Sequence, residues 1–261
     1  MSDYFQSDAI SATLLKTIVR RSPIHAIERM KSFVPTPTMK LGTAFHAATL
    51  EPDRYFDLIS VMPNVDARTK AGKELRQKFH DELGDKTAIT EEQQHAVEAM
   101  SLALHYHPYA KALIEKMEQR EVEKFFDFED LECKAKIDLL SKGVVVDIKT
   151  TINASPDSFR KQSANLLYHL QLAWYAKAAG YNWNECDAYI IAIENSPPYS
   201  VAVYQYEQRA MELGWDLCLR GIQLWKEHLA AKAIDGQSLA YGEGVMDLYL
   251  PAWAETFAPI E

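Results

Sequence analysis

Helical patterning of apolar and polar positions dominates the first 120 residues. Ser11 stands as a cap before ATLLKTIVRR, and Ser22-Pro23, a capping residue followed by Pro at the first helical position, leads into IHAIERMK. FVPTPTMK (33–40) reads as a Pro-punctuated connector, and LGTAFHAATLE as a short, mostly apolar helix ended near Glu51-Pro52. Residues 90–119 predict one or two helices, with Thr90 and Gln93 placed for a capping box and a break at His107-Pro108. From about 121 the pattern changes. EVEKFFDF, LECKAKIDLL and VVVDIKTT are short, β-rich and separated by turn residues. A long helix over roughly 156–180 follows, opened by Ser155-Pro156 and closed by Gly180. CDAYIIAIE and YSVAVYQY predict two more strands around NSPPY, and 207–232 a long last helix, before a tail with aromatics and Pro251. This order predicts an α/β or α+β fold, a small mixed β-sheet flanked by helices. The expected organisation is one domain over 1–261: a helical part (1–120), a sheet-and-helix part (121–206), and a C-terminal helix and tail (207–261).

Composition narrows the class. A hydrophobic content of 48% is enough for a full core. No apolar run reaches the ~18 residues of a membrane span, and the N-terminus lacks the order of a signal peptide, so no membrane association and a cytoplasmic location are expected. Cys133, Cys186 and Cys218 are far apart and form no CxxC, which excludes a four-cysteine zinc or iron–sulfur site within the chain. The net charge of −9 argues against a general nucleic-acid coat, since phosphate binding favours Lys and Arg. It leaves room for a local basic channel. Residues 64–80 carry Arg68, Lys70, Lys73, Arg76 and Lys78 against Asp66 and Glu74. A solvated helix face explains that stretch equally well.

The segment KAKIDLLSKGVVVDIKT (134–150) concentrates the chemistry. With Lys142-Gly143 as a two-residue hairpin loop, Asp138 faces Asp147 and Lys136 faces Lys149. Alternation then puts these four on one face, with Ile137, Val146 and Ile148 on the other. Directly opposed β-carbons lie ~4.5–5.5 Å apart, and like charges there repel. Two such carboxylates call for a cation, and oxygen ligands suit Mg²⁺ or Mn²⁺. Lys149 would lie beside that ion. The same residues also read as strand-end acids facing water, with Lys149 as an ion-pair partner.

Further along, GTAFH (42–46) is a helical segment carrying His46. QLAWY (171–175) places Gln171 and Tyr175 four apart, with Tyr168 three before Gln171, so all three can share a helix face. Together with Asp138 and Asp147-Ile148-Lys149, these resemble the PD-(D/E)XK nuclease core, in its RecB-like branch. ISATLLKTIVRRSPIHAI, LGTAFHAATLEPDRY, CKAKIDLL…VVDIKTT and YHLQLAWYAKAAG, in that order, are similar to the nuclease domain of the RecE family (exodeoxyribonuclease VIII and its phage relatives) over about 8–206. The individual motifs are short, and the signal lies in their order and spacing.

The resemblance implies a restriction-endonuclease-like core and a Mg²⁺-dependent (Mn²⁺ as substitute) exodeoxyribonuclease. It would degrade one strand of linear double-stranded DNA 5′ to 3′ and leave a 3′ tail for strand annealing in recombination and repair. It also implies a homo-oligomeric ring and a RecT-like single-strand annealing partner. His46, Asp138, Asp147 and the Ile148 carbonyl would hold metal. Lys149 would orient the attacking water, and Gln171 and Tyr175 would position the substrate strand or Lys149. Glu123 falls where the family often has an acid, though a solvated strand residue is the preferred reading. Lys16, Arg20 and Arg21 become candidates for the 5′ phosphate, with a solvated helix face equally open. The family founder's long N-terminal region has no counterpart here, and the iron–sulfur cluster of some relatives is ruled out by the cysteine count. Competing expectations are a site-specific endonuclease on the same core, a silent DNA-end-binding protein, and a metal-stabilised structural protein.

Overall fold

In the computed structural model, residues 3–235, 240, 241 and 245–249 are described. The N-terminal part runs α1 (Asp3–Gln6), α2 (Ala12–Arg20), α3 (Pro23–Lys31), α4 (Pro37–Leu50), a 3₁₀ turn (Pro52–Arg54), α5 (Tyr55–Leu58), β1 (Ile59–Val61), α6 (Lys70–Glu82), β2 (Thr87–Ile89), α7 (Glu91–Tyr106) and α8 (Pro108–Glu115). Then come β3 (Gln119–Phe128), β4 (Leu131–Ser141), β5 (Val144–Thr151), α9 (Pro156–Asn165), α10 (Tyr168–Ala178), β6 (Asp187–Glu194), β7 (Val201–Gln205) and α11 (Gln208–Asp235). Ser11 and Ser22 cap α2 and α3 through their side chains, and the Thr90–Gln93 capping box is present. These bonds satisfy amide donors that the first helical turn leaves without partners.

Four expectations are corrected. The connector at 33–40 ends early: Thr36 caps a helix that starts at Pro37. The stretch 156–180 is two helices, because Leu167 takes a left-handed conformation (φ 53°) between them. A two-stranded parallel sheet of β1 and β2 lies within the part read as helical. Each of its strands is three residues long, too short for a period-two signal. The first core strand also starts earlier than read, at Gln119. Pro251 lies outside the described residues.

Among the described residues, β3–β7 form one five-stranded sheet in that order. β3–β4, β4–β5 and β6–β7 are antiparallel, and β5–β6 are parallel through the α9–α10 crossover. The protein is thus a mixed α/β fold, as its sequence predicts. One face of the sheet buries Ile137, Val145 and Ile190 with Leu15, Trp174 and Cys218 from α2, α10 and α11. The other buries Leu139, Val146 and Ile148 with Phe45, Met100 and Leu113 from α4, α7 and α8. Each layer removes a large apolar area from water, at about 25 cal/mol per Å². β5 is sandwiched between them, which explains its nearly unbroken apolar run.

Candidate active site

The β4–β5 hairpin turns as expected. Ser141 pairs with Val144, Leu140 with Val145 and Leu139 with Val146, around Gly143 at φ +69°. The next step along this register brings Asp138 opposite Asp147, but the ladder stops before it. β4 stays with β3 and β5 with β6, so the two strands part at the aspartates. Asp138 Oδ2 instead accepts a hydrogen bond from the Ile148 N–H at 2.7 Å. The parting corrects the expected common face. Ile137 belongs to the core under α10, whereas Leu139, two residues on, belongs with Val146 and Ile148 to the core under α4. The buried side of β4 therefore changes at Asp138, where the β3–β4 ladder also skips the Glu121–Asp138 pair. On β3 the register places Glu121 opposite Asp138, and Glu121 carries φ +50°, a conformation uncommon outside glycine.

Asp147 and Lys149 do share a side, facing α10. Asp147 Oδ1 accepts from Gln171 Nε2 at 2.9 Å, and Gln171 Nε2 also donates to the Tyr175 hydroxyl at 2.7 Å. Lys149 Nζ lies 2.5 Å from Asp147 Oδ2 and 5.4 Å from the centre of the Tyr168 ring. Asp147 is 1% exposed, and its Oδ2, although ion-paired, accepts no hydrogen bond of good geometry. Lys136 does not face Lys149 in a ladder; its Nζ pairs with Glu121 Oε2 at 2.7 Å and lies 3.9 Å from Glu123 Oε1.

His46 comes from α4, on the opposite layer. Its Nε2 lies 2.9 Å from the Ile148 carbonyl oxygen, and its Nδ1 lies 3.6 Å from Asp138 Oδ2 and 3.9 Å from Glu121 Oε1. One ligand atom each from His46, Glu121 and Asp138 fall within 4.8 Å of one another. The β3 acid that reaches this cluster is Glu121; Glu123, which falls where the resembled family often has an acid and whose preferred reading is a solvated strand residue, is not in it. A signal for Glu121 existed: Glu129-Asp130 form a two-residue turn at φ 52° and 62°, with Phe128 paired to Leu131, and counting back from that turn reaches Glu121 opposite Asp138.

Burial, and then the neighbouring Asp147 carboxylate, push the Asp138 carboxyl up to about 6 against the opposing pull of His46 and Lys149. Burial works against a charged His46, but the Asp138 and Glu121 carboxylates outweigh it and raise its pKa. Lys149 is likewise raised despite burial, by Asp147 and Asp138. Burial would raise Glu121, yet hydrogen bonding to His46 and the charge of Lys136 hold it below its ordinary value. The Tyr175 hydroxyl is held well above its ordinary value by burial and both aspartates, so it stays protonated.

Three carboxylates, a carbonyl oxygen and an imidazole are the donor set of a hard divalent cation. The buried Asp147 Oδ2, held only by the Lys149 ammonium, and the buried Asp138 carboxyl are what such an ion would engage. The residues therefore fit Mg²⁺ or Mn²⁺, with Glu121 joining His46, Asp138, Asp147 and Ile148 as a possible donor.

The predicted basic residues divide. Lys16 reaches the site, its Nζ donating to Gln171 Oε1 at 2.5 Å. Arg20 and Arg21 are exposed at the end of α2. Arg68 pairs with Asp66 at 2.9 Å and Lys70 lies 3.9 Å from Glu74, both highly exposed. Neither they nor Lys73 and Arg76 make a hydrogen bond or ion pair to the site among the described residues. The solvated-face reading fits this stretch better.

A mixed sheet parting around two aspartates, with Asp-x-Lys on the inner strand, defines the PD-(D/E)XK class of nuclease folds. Over residues 11–233 the chain matches the PDDEXK-like domain of unknown function DUF3799, and it belongs to that family. No curated protein matches it. Among solved structures, it is similar to a candidate exonuclease from Eubacterium rectale, with TM-score 0.58 and 12% identity over 100% of this chain and 98% of that one. That likeness shows the fold alone. A phage-related exonuclease from Haemophilus somnus 129PT aligns with TM-score 0.35 and 11% identity, over 65% of this chain and 90% of that one. Among the described residues, no helix is long and apolar enough to cross a membrane.

Proposed function

We propose that this protein is a divalent-metal-dependent exodeoxyribonuclease that enters at the end of linear duplex DNA and degrades one strand 5′ to 3′, leaving a 3′ tail for annealing. The observation that carries the reading is the convergence of Asp138, Asp147 and Lys149, with His46 and Gln171, where β4 and β5 part. A bound Mg²⁺ or Mn²⁺ would supply charge to the scissile phosphate and lower the pKa of the attacking water. The chain's residues do the rest. His46, Glu121, Asp138, Asp147 and the Ile148 carbonyl form the cradle. Lys149 directs a fixed positive charge at the nonbridging phosphate oxygens or the attacking water, in a site that excludes most solvent. Gln171 holds one oxygen of Asp147, and Tyr175 stays a proton donor to whatever reaches it. Water attacks phosphorus, the bond to the 3′ oxygen breaks, and that oxygen leaves with a proton.

Strand polarity, the ring and a RecT-like annealing partner rest on the resemblance to the RecE family. A ring would place basic groups such as Arg20 and Arg21 toward a channel and the acids that give the net charge of −9 outward. The test is end-labelled linear duplex with Mg²⁺. The 5′ label should be lost first, circular duplex should survive, and Asp138→Ala, Asp147→Ala and Lys149→Ala should each be inactive but folded. Cutting of circles would make the protein an endonuclease. A monomer on DNA by sedimentation would remove the ring.

A further inference from the structure

Lys16 has a place in this site that phosphate binding does not explain. It lies on α2, whose Leu14, Leu15 and Ile18 are buried against the α10–α11 layer, and its Nζ approaches Gln171 Oε1 at 2.5 Å. The ammonium also lies 5.1 Å from the centre of the Tyr168 ring, the ring that Lys149 approaches at 5.4 Å. An ammonium has donors only, whereas a carboxamide has a donor end and an acceptor end.

The geometry assigns Lys16 the role of a positioning residue: it fixes which way the Gln171 amide faces, and so which oxygen of Asp147 is left for a divalent ion. The inference rests on the nuclease reading only for its functional consequence. With Oε1 held by Lys16, both protons of Gln171 Nε2 point the other way, one to Asp147 Oδ1 at 2.9 Å and one to the Tyr175 hydroxyl at 2.7 Å. The flipped amide would set its NH₂ against the ammonium and its oxygen against the carboxylate, two repulsive contacts in place of two attractive ones. Lys16 and Asp147 therefore demand the same orientation from opposite ends. With Oδ1 committed to Gln171, Oδ2 is the oxygen left for an ion, and it holds only the Lys149 ammonium, 2.5 Å away, with no hydrogen bond of good geometry. A partly buried ammonium is costly to keep, and an apolar side chain of the same length would pack there without that cost.

The test is Lys16→Met, a neutral side chain of similar volume, with Lys16→Arg as the conservative rescue and Lys16→Gln in reserve should the first not fold. In metal-free protein, the side-chain amide protons of Gln171 are followed by NMR. They should be protected from solvent exchange in wild type and in Lys16→Arg, and lose at least about tenfold of that protection in Lys16→Met. Mn²⁺ affinity, titrated without DNA, should fall several-fold in Lys16→Met and no further when Gln171→Ala is added, because the two residues act as one unit. Unchanged amide protection overturns the assignment, as does a loss of Mn²⁺ affinity that multiplies in the double variant. A weaker KM for DNA with Mn²⁺ affinity intact overturns it too, and makes Lys16 a phosphate contact. The two readings separate cleanly. A protein without nuclease activity whose Gln171 amide still depends on Lys16 would sink the function and spare this role, and an active nuclease whose amide ignores Lys16 would do the reverse.

Discussion

Asp138 shows how one side chain trades stability for chemistry. Its carboxyl is buried between two cores, and its pKa rises from 3.8 to about 6. A carboxyl raised in this way is favoured protonated in the folded state, so its ionisation costs stability. The penalty is absent below about pH 4, grows between the unfolded and folded pKa values, and is complete above about pH 6. His46 adds to the same trend, since its raised pKa gives stability at low pH that is lost as pH climbs through that value. Asp138→Asn should therefore melt higher than wild type at pH 7.5 in chelator, with the difference closing toward pH 4. Saturating Mn²⁺ should reverse the ranking, because the variant gives up a charged ligand; equal melting curves at both pH values would show that Asp138 carries no such load. Glu121 offers a second check. Glu121→Gln should lower Mn²⁺ affinity several-fold, and Glu123→Gln, two residues along, should change it little, as read by titration calorimetry.

At the scale of elements, the site depends on helices brought unusually near one another. On α11, a Cβ added to Gly214 would stand 2.2 Å from the His169 carbonyl oxygen and 2.5 Å from its carbon. Backbone cannot yield to that, so α10 would have to move, and His169 is only two residues from Gln171. Gly214→Ala should lose about 1–3 kcal/mol of stability, typical of overpacking. It should also lower DNA degradation more than a remote variant of equal stability does, measured at a temperature where both are fully folded. The α9–α10 break belongs here too. A single left-handed residue, Leu167, reorients the chain so that Tyr168, Gln171 and Tyr175 face the sheet. Leucine gives no local signal for that conformation, and packing overrides its preference for continuing a helix.

Across the whole molecule the site lies on the seam between two cores. His46 is carried by the α4 layer, while Gln171, Tyr175 and Lys16 come from the α2–α10–α11 layer, and β3–β5 run between. An ion held there would tie both layers together. At a hundredfold excess over Kd a ligand adds ~2.7 kcal/mol to stability, and for a chain near this size that raises the melting temperature by roughly 5–10 °C. Mg²⁺ or Mn²⁺ should produce such a rise, chelator should reverse it, and Asp147→Asn should show almost none of it in a thermal melt. The net charge of −9 fits a protein whose nucleic-acid contacts are local, because many carboxylates elsewhere would repel a phosphate backbone.

The sequence by itself determined the elements and most of the chemistry. Caps at Ser11, Ser22 and Thr90, the turn at Lys142-Gly143, and five short β-rich runs bounded by turn residues are local patterns, set by backbone sterics and by donors within a few residues. Hairpin spacing pointed to Asp138, Asp147 and Lys149, the resemblance to the RecB-like branch added Gln171 and Tyr175, and helix pitch put those two on one face. Tertiary structure decided what lies between them. Only in the assembled sheet do β4 and β5 part at Asp138, Ile137 and Leu139 enter opposite cores, and Glu121 rather than Glu123 come to His46. Only the packing of α2 on α10 delivers Lys16 to Gln171, 155 residues away in the chain. Contacts of that kind are set by how whole layers meet, and no local period in the sequence encodes them.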